Sequence, residues 1–323
     1  MDTSTVELLA CPACRRELTL DHEVVEDGDV REGRLTCEAC YSRYNIANGE
    51  ALMLMSLPEN DRWAQWEQKQ ELGLTEYESP DPDYKAYYDQ VAAEFGAFCQ
   101  LTGTILDVGC GIEREPAYAI RPPGSRYVGV DPFVAEDARA FDFVQGLGEW
   151  LPFRAESFDR AVCATSLDHF PDPSRVLGEI RRVLKPSGRL CLWVGVQNPE
   201  YLLETFEGAS YGLGDLARRE HRRELLGRVR ERKVRELPGL AWRHLVLRPV
   251  RGVVGRTRMR FDEAGFVESM SAERSKYHFH FFKAEEVADL VTRSGYEIVK
   301  RRLIKDRIHG DSLFLQATPN REG

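Results

Sequence analysis

Apolar residues in the middle of the chain fall into short runs that stop abruptly at glycine or at an acidic residue. Ile105, Leu106 and Val108 lead straight into Gly109 and Gly111, and about twenty residues later Val128 and Val130 lead into Asp131. This pattern predicts strand, glycine turn, helix, strand, acidic residue, with the strands buried in a parallel sheet. Further strands are predicted over Arg160–Thr165 and Arg189–Val196, and Gly188 reads as a turn glycine ahead of the latter. Tyr84, Tyr87, Tyr88, Val91, Phe95, Phe98 and Cys99 recur at helical spacing, so residues 84–99 predict an amphipathic helix before the first of these strands. That helix would either cover a ligand site or pack on the sheet. Near the C-terminus, Lys283–Ser294 predicts a helix, and Tyr296–Ile304 with Ser312–Ala317 predicts a closing hairpin.

The composition permits two globular units: 323 residues, 42% hydrophobic, 30% charged, net charge −9. No apolar run approaches the eighteen or so residues of a membrane span, and the expected location is cytoplasmic. The segment from 58 to 100 reads as a packed linker, rich in Trp63, Trp66, Tyr77, Tyr84, Tyr87 and Tyr88 and broken by Pro80 and Pro82. One region departs from the acidic balance. Residues 199–275 read as a helical insertion, and between Asp215 and Arg260 fifteen Lys or Arg face five acids, a local charge of +10. A surface of this kind suits an anionic substrate, an anionic membrane surface, RNA phosphates, or the acidic body of the protein itself. Peripheral membrane contact through 215–260 is therefore an expectation, and the overall acidic balance weighs against nucleic acid.

Two sets of residues carry chemistry. Gly109 and Gly111 let the backbone approach a ligand at the C-terminal edge of a parallel sheet, and a carboxylate at Asp131 can accept two ribose hydroxyls. Position 114 is arginine rather than a third glycine, which disfavours a nicotinamide dinucleotide. Near the N-terminus, Cys11-Pro-Ala-Cys14 and Cys37-Glu-Ala-Cys40 form two C-x-x-C knuckles one hairpin apart. Four thiolates at that spacing suit a structural, tetrahedral zinc ion, which leaves no open coordination position. A segment so short buries too little apolar surface to hold itself, so the ion would supply folding free energy. The other cysteines, Cys99, Cys110, Cys163 and Cys191, read as small buried hydrophobes.

The order Asp107-Val-Gly-Cys-Gly111, Asp131, Leu151-Pro-Phe153, Ser157-Phe-Asp159 and Leu184-Lys-Pro-Ser-Gly188 resembles the class I S-adenosylmethionine (SAM) methyltransferases, especially those with small-molecule, quinone and glycan substrates. The N-terminal order Leu8-Leu-Ala-Cys-Pro-Ala-Cys14, Leu35-Thr-Cys37 and Gly49-Glu-Ala-Leu-Met-Leu54 resembles the small zinc ribbon that activates tRNA and release-factor methyltransferases. Together they imply an α/β chain: zinc ribbon (1–57), linker and helix (58–100), and a Rossmann-like seven-stranded methyltransferase domain (101–323) interrupted by the basic insertion. By position, the resemblance implies that Asp107 orients the first loop, that Gly109 and Gly111 flank the amino-acid part of SAM, and that Asp131 binds the ribose. Leu147 stands where that family often has an acidic residue near the adenine. Leu147, Gly148 and Glu149 would line that end, with Glu149 supplying the carboxylate. The usual third glycine of the turn is Glu113.

Asp168 and His169, just past the fourth strand, fall where methyl group and acceptor meet in that fold. Either could take the proton of an attacking hydroxyl. His278 and His280 alternate like same-face strand residues and, with His309, are second-choice acceptors; a metal site there would need a third ligand the sequence does not identify. The resulting expectation is O-methylation of a sugar, glycolipid or specialised metabolite. An RNA methyltransferase and a non-catalytic scaffold are the rivals.

Overall fold

The N-terminal segment contributes a short helix α1 (Thr3–Val6) and four strands, β1 (Thr19–Glu26), β2 (Asp29–Thr36), β3 (Arg43–Ala47) and β4 (Glu50–Leu52). Two helices follow, α2 (Asp61–Tyr77) and α3 (Pro82–Cys99). Next come β5 (Thr104–Val108), β6 (Arg126–Asp131), β7 (Asp142–Gln145), β8 (Phe158–Ala164), α4 (Pro173–Val183) and β9 (Leu184–Val196). The chain closes with α5 (Ala284–Arg293), β10 (Tyr296–Ile304) and β11 (Asp311–Pro319). This computed structural model describes residues 1–77, 82–196, 278–306 and 310–320, all within one compact unit. The basic insertion with its arginine-rich stretch 215–260, and His309, lie outside the described residues. No described helix is long and apolar enough to cross a membrane.

All eleven strands form one sheet, ordered β1-β2-β3-β4-β7-β6-β5-β8-β9-β11-β10. Its last seven members are the expected α/β sheet, parallel from β7 to β9 and closed by an antiparallel hairpin in which β11 lies between β9 and β10. Crossing back at β5 puts the C-terminal ends of β5, β6 and β8 beside one another, at the switch point where open α/β sheets bind ligands. The ribbon does not stand apart from this sheet. Its β4 pairs parallel with β7, Ala51 opposite Val144 and Leu52 opposite Gln145, so β7 is not an exposed edge.

Local sequence accounts for most helices. Asp172 caps α4, its side chain accepting from the Arg175 amide at 3.1 Å, with Pro173 opening the first turn. Val176, Leu177, Ile180 and Val183 then face the sheet. The helix α3 settles between its two expected roles mainly on packing: Val91, Ala92, Phe95 and Phe98 bury against Ile105, Val162, Trp193 and Phe314.

Three expectations change. The helix between glycine turn and second strand does not form; residues 112–125 contain none. Pro116 lacks an amide and pushes Glu115 out of the helical region, and Pro122-Pro123-Gly124 interrupts what is left. Gly188 is not a turn ahead of its strand, because β9 already begins at Leu184 and its register against β8 shifts between the Phe158 and Arg160 pairs. Nor is the whole stretch ahead of α3 a linker. It contains the helix α2, whose Trp63 and Trp66 form a buried cluster with Leu147, flanked by Leu57, Trp150 and Phe279.

Candidate functional site

The turn after β5 is built on two glycines with different duties. Gly109 adopts a left-handed backbone (φ +76°), and a Cβ there would lie 2.6 Å from the Cβ of Ser166. Ser166 in turn donates to the Val108 carbonyl at 2.9 Å, so the turn and the end of β8 are locked together. Gly111 is also left-handed (φ +69°), but a Cβ there would meet nothing within 4 Å. Its amide donates to Asp131 Oδ2 at 2.9 Å, and the Phe133 amide donates to Oδ1 at 3.0 Å.

Asp131 is buried, which pushes its carboxyl up to about 6, opposed by those two amides and by Arg139. A carboxylate offers about four lone-pair sites, so two remain for hydroxyl donors. Asp107 lies deeper. Tyr118 and Tyr127 donate to its Oδ2 at 3.0 and 2.6 Å, and burial raises it to about 7. Tyr118 belongs to the loop after the glycines, so Asp107 is joined to that loop through a tyrosine.

Leu147 sits under Trp63 and Trp66, and Gly148 is filled in by Phe170, whose Cε1 would lie 2.8 Å from an added Cβ. Glu149 is buried, pushed up to about 7 by that burial, and its Oε1 accepts from the Asp172 amide at 3.2 Å at the start of α4. These three residues are joined to protein partners.

Arg139 was not singled out from sequence. Its buried guanidinium spans three elements: 3.1 Å to Glu50 Oε1 on β4, and 2.9 Å to the carbonyls of Gly111 and Phe133, while it stacks 3.6 Å from the centre of the Phe143 ring. Thus the ribbon strand, the glycine turn and the loop after Asp131 share one cation. Nothing in the local sequence marks this role, which depends on the β4–β7 pairing.

Beyond β8, Thr165 takes a left-handed backbone (φ 51°), unfavourable for a β-branched residue, and its amide donates to the Trp193 carbonyl at 2.8 Å. The bend presents a single 3-10 turn, Leu167–His169. Against it lies the chain at 278–280, held by the Phe279 amide on the Asp168 carbonyl at 2.8 Å and by Lys69 of α2 donating to the His278 carbonyl at 3.2 Å. His278 Nε2 comes within 3.5 Å of Asp168 Oδ2, and the His169 and His278 ring centres are 4.5 Å apart. The two histidines expected to share a strand face part company, since 278–282 is not a strand. His280 lies instead 3.1 Å from the Phe170 carbonyl and stacks on Phe282.

The cysteines form two congruent knuckles. In each, the residue after the second cysteine (Arg15, Tyr41) is left-handed and returns its amide to the first cysteine's carbonyl, at 2.7 and 2.8 Å. All four sulfurs lie within 4.8 Å of one another, with Cys11–Cys40 at 3.5 Å and Cys14–Cys37 at 3.4 Å. Those separations are far beyond a disulfide's ~2.05 Å and close to the edge of a tetrahedron with ~2.3 Å metal–sulfur bonds. The Ser42 hydroxyl, 3.2 Å from Cys40, holds that thiol down at about 6. Tyr44 Oη, 3.5 Å from Cys11 Sγ, closes the cluster from the sheet side.

A parallel α/β sheet with a glycine turn and an acidic second strand, closed by an antiparallel hairpin, is the fold of the class I methyltransferases, here extended by a four-cysteine ribbon. Residues 106–192 match the family described as methyltransferase domain, and residues 2–49 the family described as Trm112p-like protein. Each match covers part of the chain, the Trm112p-like one its start and the methyltransferase one its middle. Among relatives, the methyltransferase GfsG of Streptomyces halstedii is 34% identical over 102 residues, 27% of this chain and 36% of that protein. A ubiquinone biosynthesis O-methyltransferase of Pseudomonas paraeruginosa is 33% identical over 131 residues, 36% of this chain and 55% of that one. The chain thus matches between about a third and a half of these relatives' lengths. Among solved structures, the 1,6-didemethyltoxoflavin-N1-methyltransferase of Burkholderia thailandensis matches at TM-score 0.48 and 14% identity, covering 94% of this chain and all of that one.

Proposed function

We propose that this protein is a SAM-dependent methyltransferase that methylates a hydroxyl of a small molecule, namely a sugar, glycolipid or specialised metabolite, with a structural zinc ion in the four-cysteine ribbon. The observation that carries the reading is the Gly111–Asp131 contact: an open, left-handed glycine whose amide orients a buried carboxylate at the sheet's switch point. SAM, when bound, supplies an electrophilic sulfonium methyl group, and its transfer to an acceptor oxygen leaves S-adenosylhomocysteine and a proton.

The chain's own residues hold and orient. Asp131 keeps lone pairs for two ribose hydroxyls, and the bare backbone from Gly109 to Gly111 admits the amino-acid part. Asp168 and His169, with His278 beside them, receive the acceptor and govern the loss of its proton. Holding the two reactants close and in line supplies most of the rate. Leu147, Gly148 and Glu149 shape the adenine end from behind, through their own contacts.

Calorimetric titration with SAM and S-adenosylhomocysteine tests the reading. Micromolar binding that Asp131→Ala abolishes is expected; no binding by folded, zinc-loaded wild type would support a non-catalytic scaffold instead. Tight, steeply salt-dependent binding of a structured RNA would move the acceptor from small molecule to nucleic acid.

A further inference from the structure

From Asp168, His169 and His278 the geometry points to a second metal site, one that takes a single divalent first-row ion such as Zn²⁺ or Fe²⁺ at the acceptor end of the sheet. One ligand atom from each of the three lies within 4.8 Å of the others. Two imidazoles and one carboxylate form the donor set by which proteins hold catalytic zinc and non-haem iron, with positions left for outside ligands.

Three further observations support it. Asp168 Oδ1 is buried with no hydrogen-bond partner among the described residues, an expensive state that a cation would relieve. The side chains of Asp168 and His278 remain 15% and 29% exposed, so the cluster opens to one side. Its geometry is also fixed by backbone rather than by chance contact. The strained Thr165 bend presents one pair of ligands, and the Phe279 and His280 amides, both on the Asp168 carbonyl, bring up the third.

The site differs from the cysteine cluster in kind. Three ligands leave open positions, which suits an acceptor bearing two neighbouring oxygens, such as a vicinal diol or a catechol-like ring. Asp168 and His169 then serve as ligands to a cation that acidifies the acceptor hydroxyl, rather than as direct proton acceptors. Ion binding stands by itself; only its use on the acceptor rests on the methyltransferase reading.

The test is a zinc count on untagged full-length protein equilibrated with Zn²⁺ and freed of excess. Wild type is expected to hold two ions per chain, and His169→Gln and His278→Gln one each, with affinity for the second ion weakened at least about 100-fold. One ion per chain in wild type, or a second ion indifferent to both substitutions, overturns the site in favour of a plain Asp–His pair. Anomalous scattering from zinc-soaked wild-type crystals needs no variant. A peak about 2.0–2.1 Å from nitrogens of His169 and His278 supports the site, and zinc signal at the cysteines alone refutes it. Neither readout involves SAM, so a failure of methyl transfer would leave both intact.

Discussion

The cysteine cluster and the Asp–His cluster are both convergences of metal-ligating side chains, yet they are built in opposite ways. The first is closed: four sulfurs face one another, and each knuckle is fixed by its own backbone bonds. The second offers only three ligands, and one oxygen of its carboxylate lacks a partner among the described residues. The same contrast recurs nearby. Gly109 is packed against Ser166 whereas a Cβ at Gly111 would meet nothing within 4 Å. Closed sets hold the fold together, and the open sets are the proposed ligand sites.

The largest effect should come from opening the closed cluster. Cys37→Ser, or a strong chelator, is expected to remove an ion whose binding contributes on the order of 10 kcal/mol to folding. The protein should aggregate or lose its cooperative thermal transition. His278→Gln should stay within about 1 kcal/mol of wild type. Equal losses in the two variants would erase the distinction.

The glycines come next. Gly109→Ala is expected to cost about 2–4 kcal/mol in denaturant unfolding, from the clash with Ser166 added to backbone strain. Gly111→Ala should cost only about 1–2 kcal/mol, for the left-handed backbone, but should weaken S-adenosylhomocysteine binding in calorimetry. If both variants lose only stability, Gly111 is no ligand contact.

The acids separate by pH. In its proposed role Asp131 accepts ribose hydroxyls in its ionised form, and its carboxyl sits at about 6. Cofactor affinity should therefore be flat above that pH and fall about tenfold per unit below it, a dependence missing in Asp131→Asn. For Asp107 the readout is stability. Its folded value of about 7 is raised above the unfolded 3.8. Its contribution is fully present below the unfolded value and is lost as pH rises through about 7. In Asp107→Asn that part of the stability–pH curve should flatten, as followed by urea midpoints between pH 4 and 8.

What the sequence disclosed follows the same division. The cysteine knuckles, the glycine turn, Asp131, α3, α5 and the closing hairpin are local patterns, and each stands where its pattern places it. The Asp–His cluster was half legible: Asp168 and His169 are neighbours, but His278 arrives after α4, β9 and the insertion, and only its docking on the Asp168 carbonyl brings it in. Alternation of His278 with His280 suggested a strand, but docking overrode the pattern. The missing helix after Gly111 was signalled by Pro116, Pro122 and Pro123, outweighed there by the expected strand–turn–helix order. Arg139 gave no signal at all, because its role requires knowing that β4 pairs with β7.

That one arginine ties the ribbon strand to the turn proposed to hold the cofactor. Because Glu50, Gly111 and the loop after Asp131 all depend on its guanidinium, whatever factor an ion in the ribbon adds to cofactor affinity the cofactor must return to the ion. Under the proposed function, in a cell short of zinc, such reciprocity would make methylation capacity a readout of metal supply, with scarce metal retained first by those chains that already carry their methyl donor.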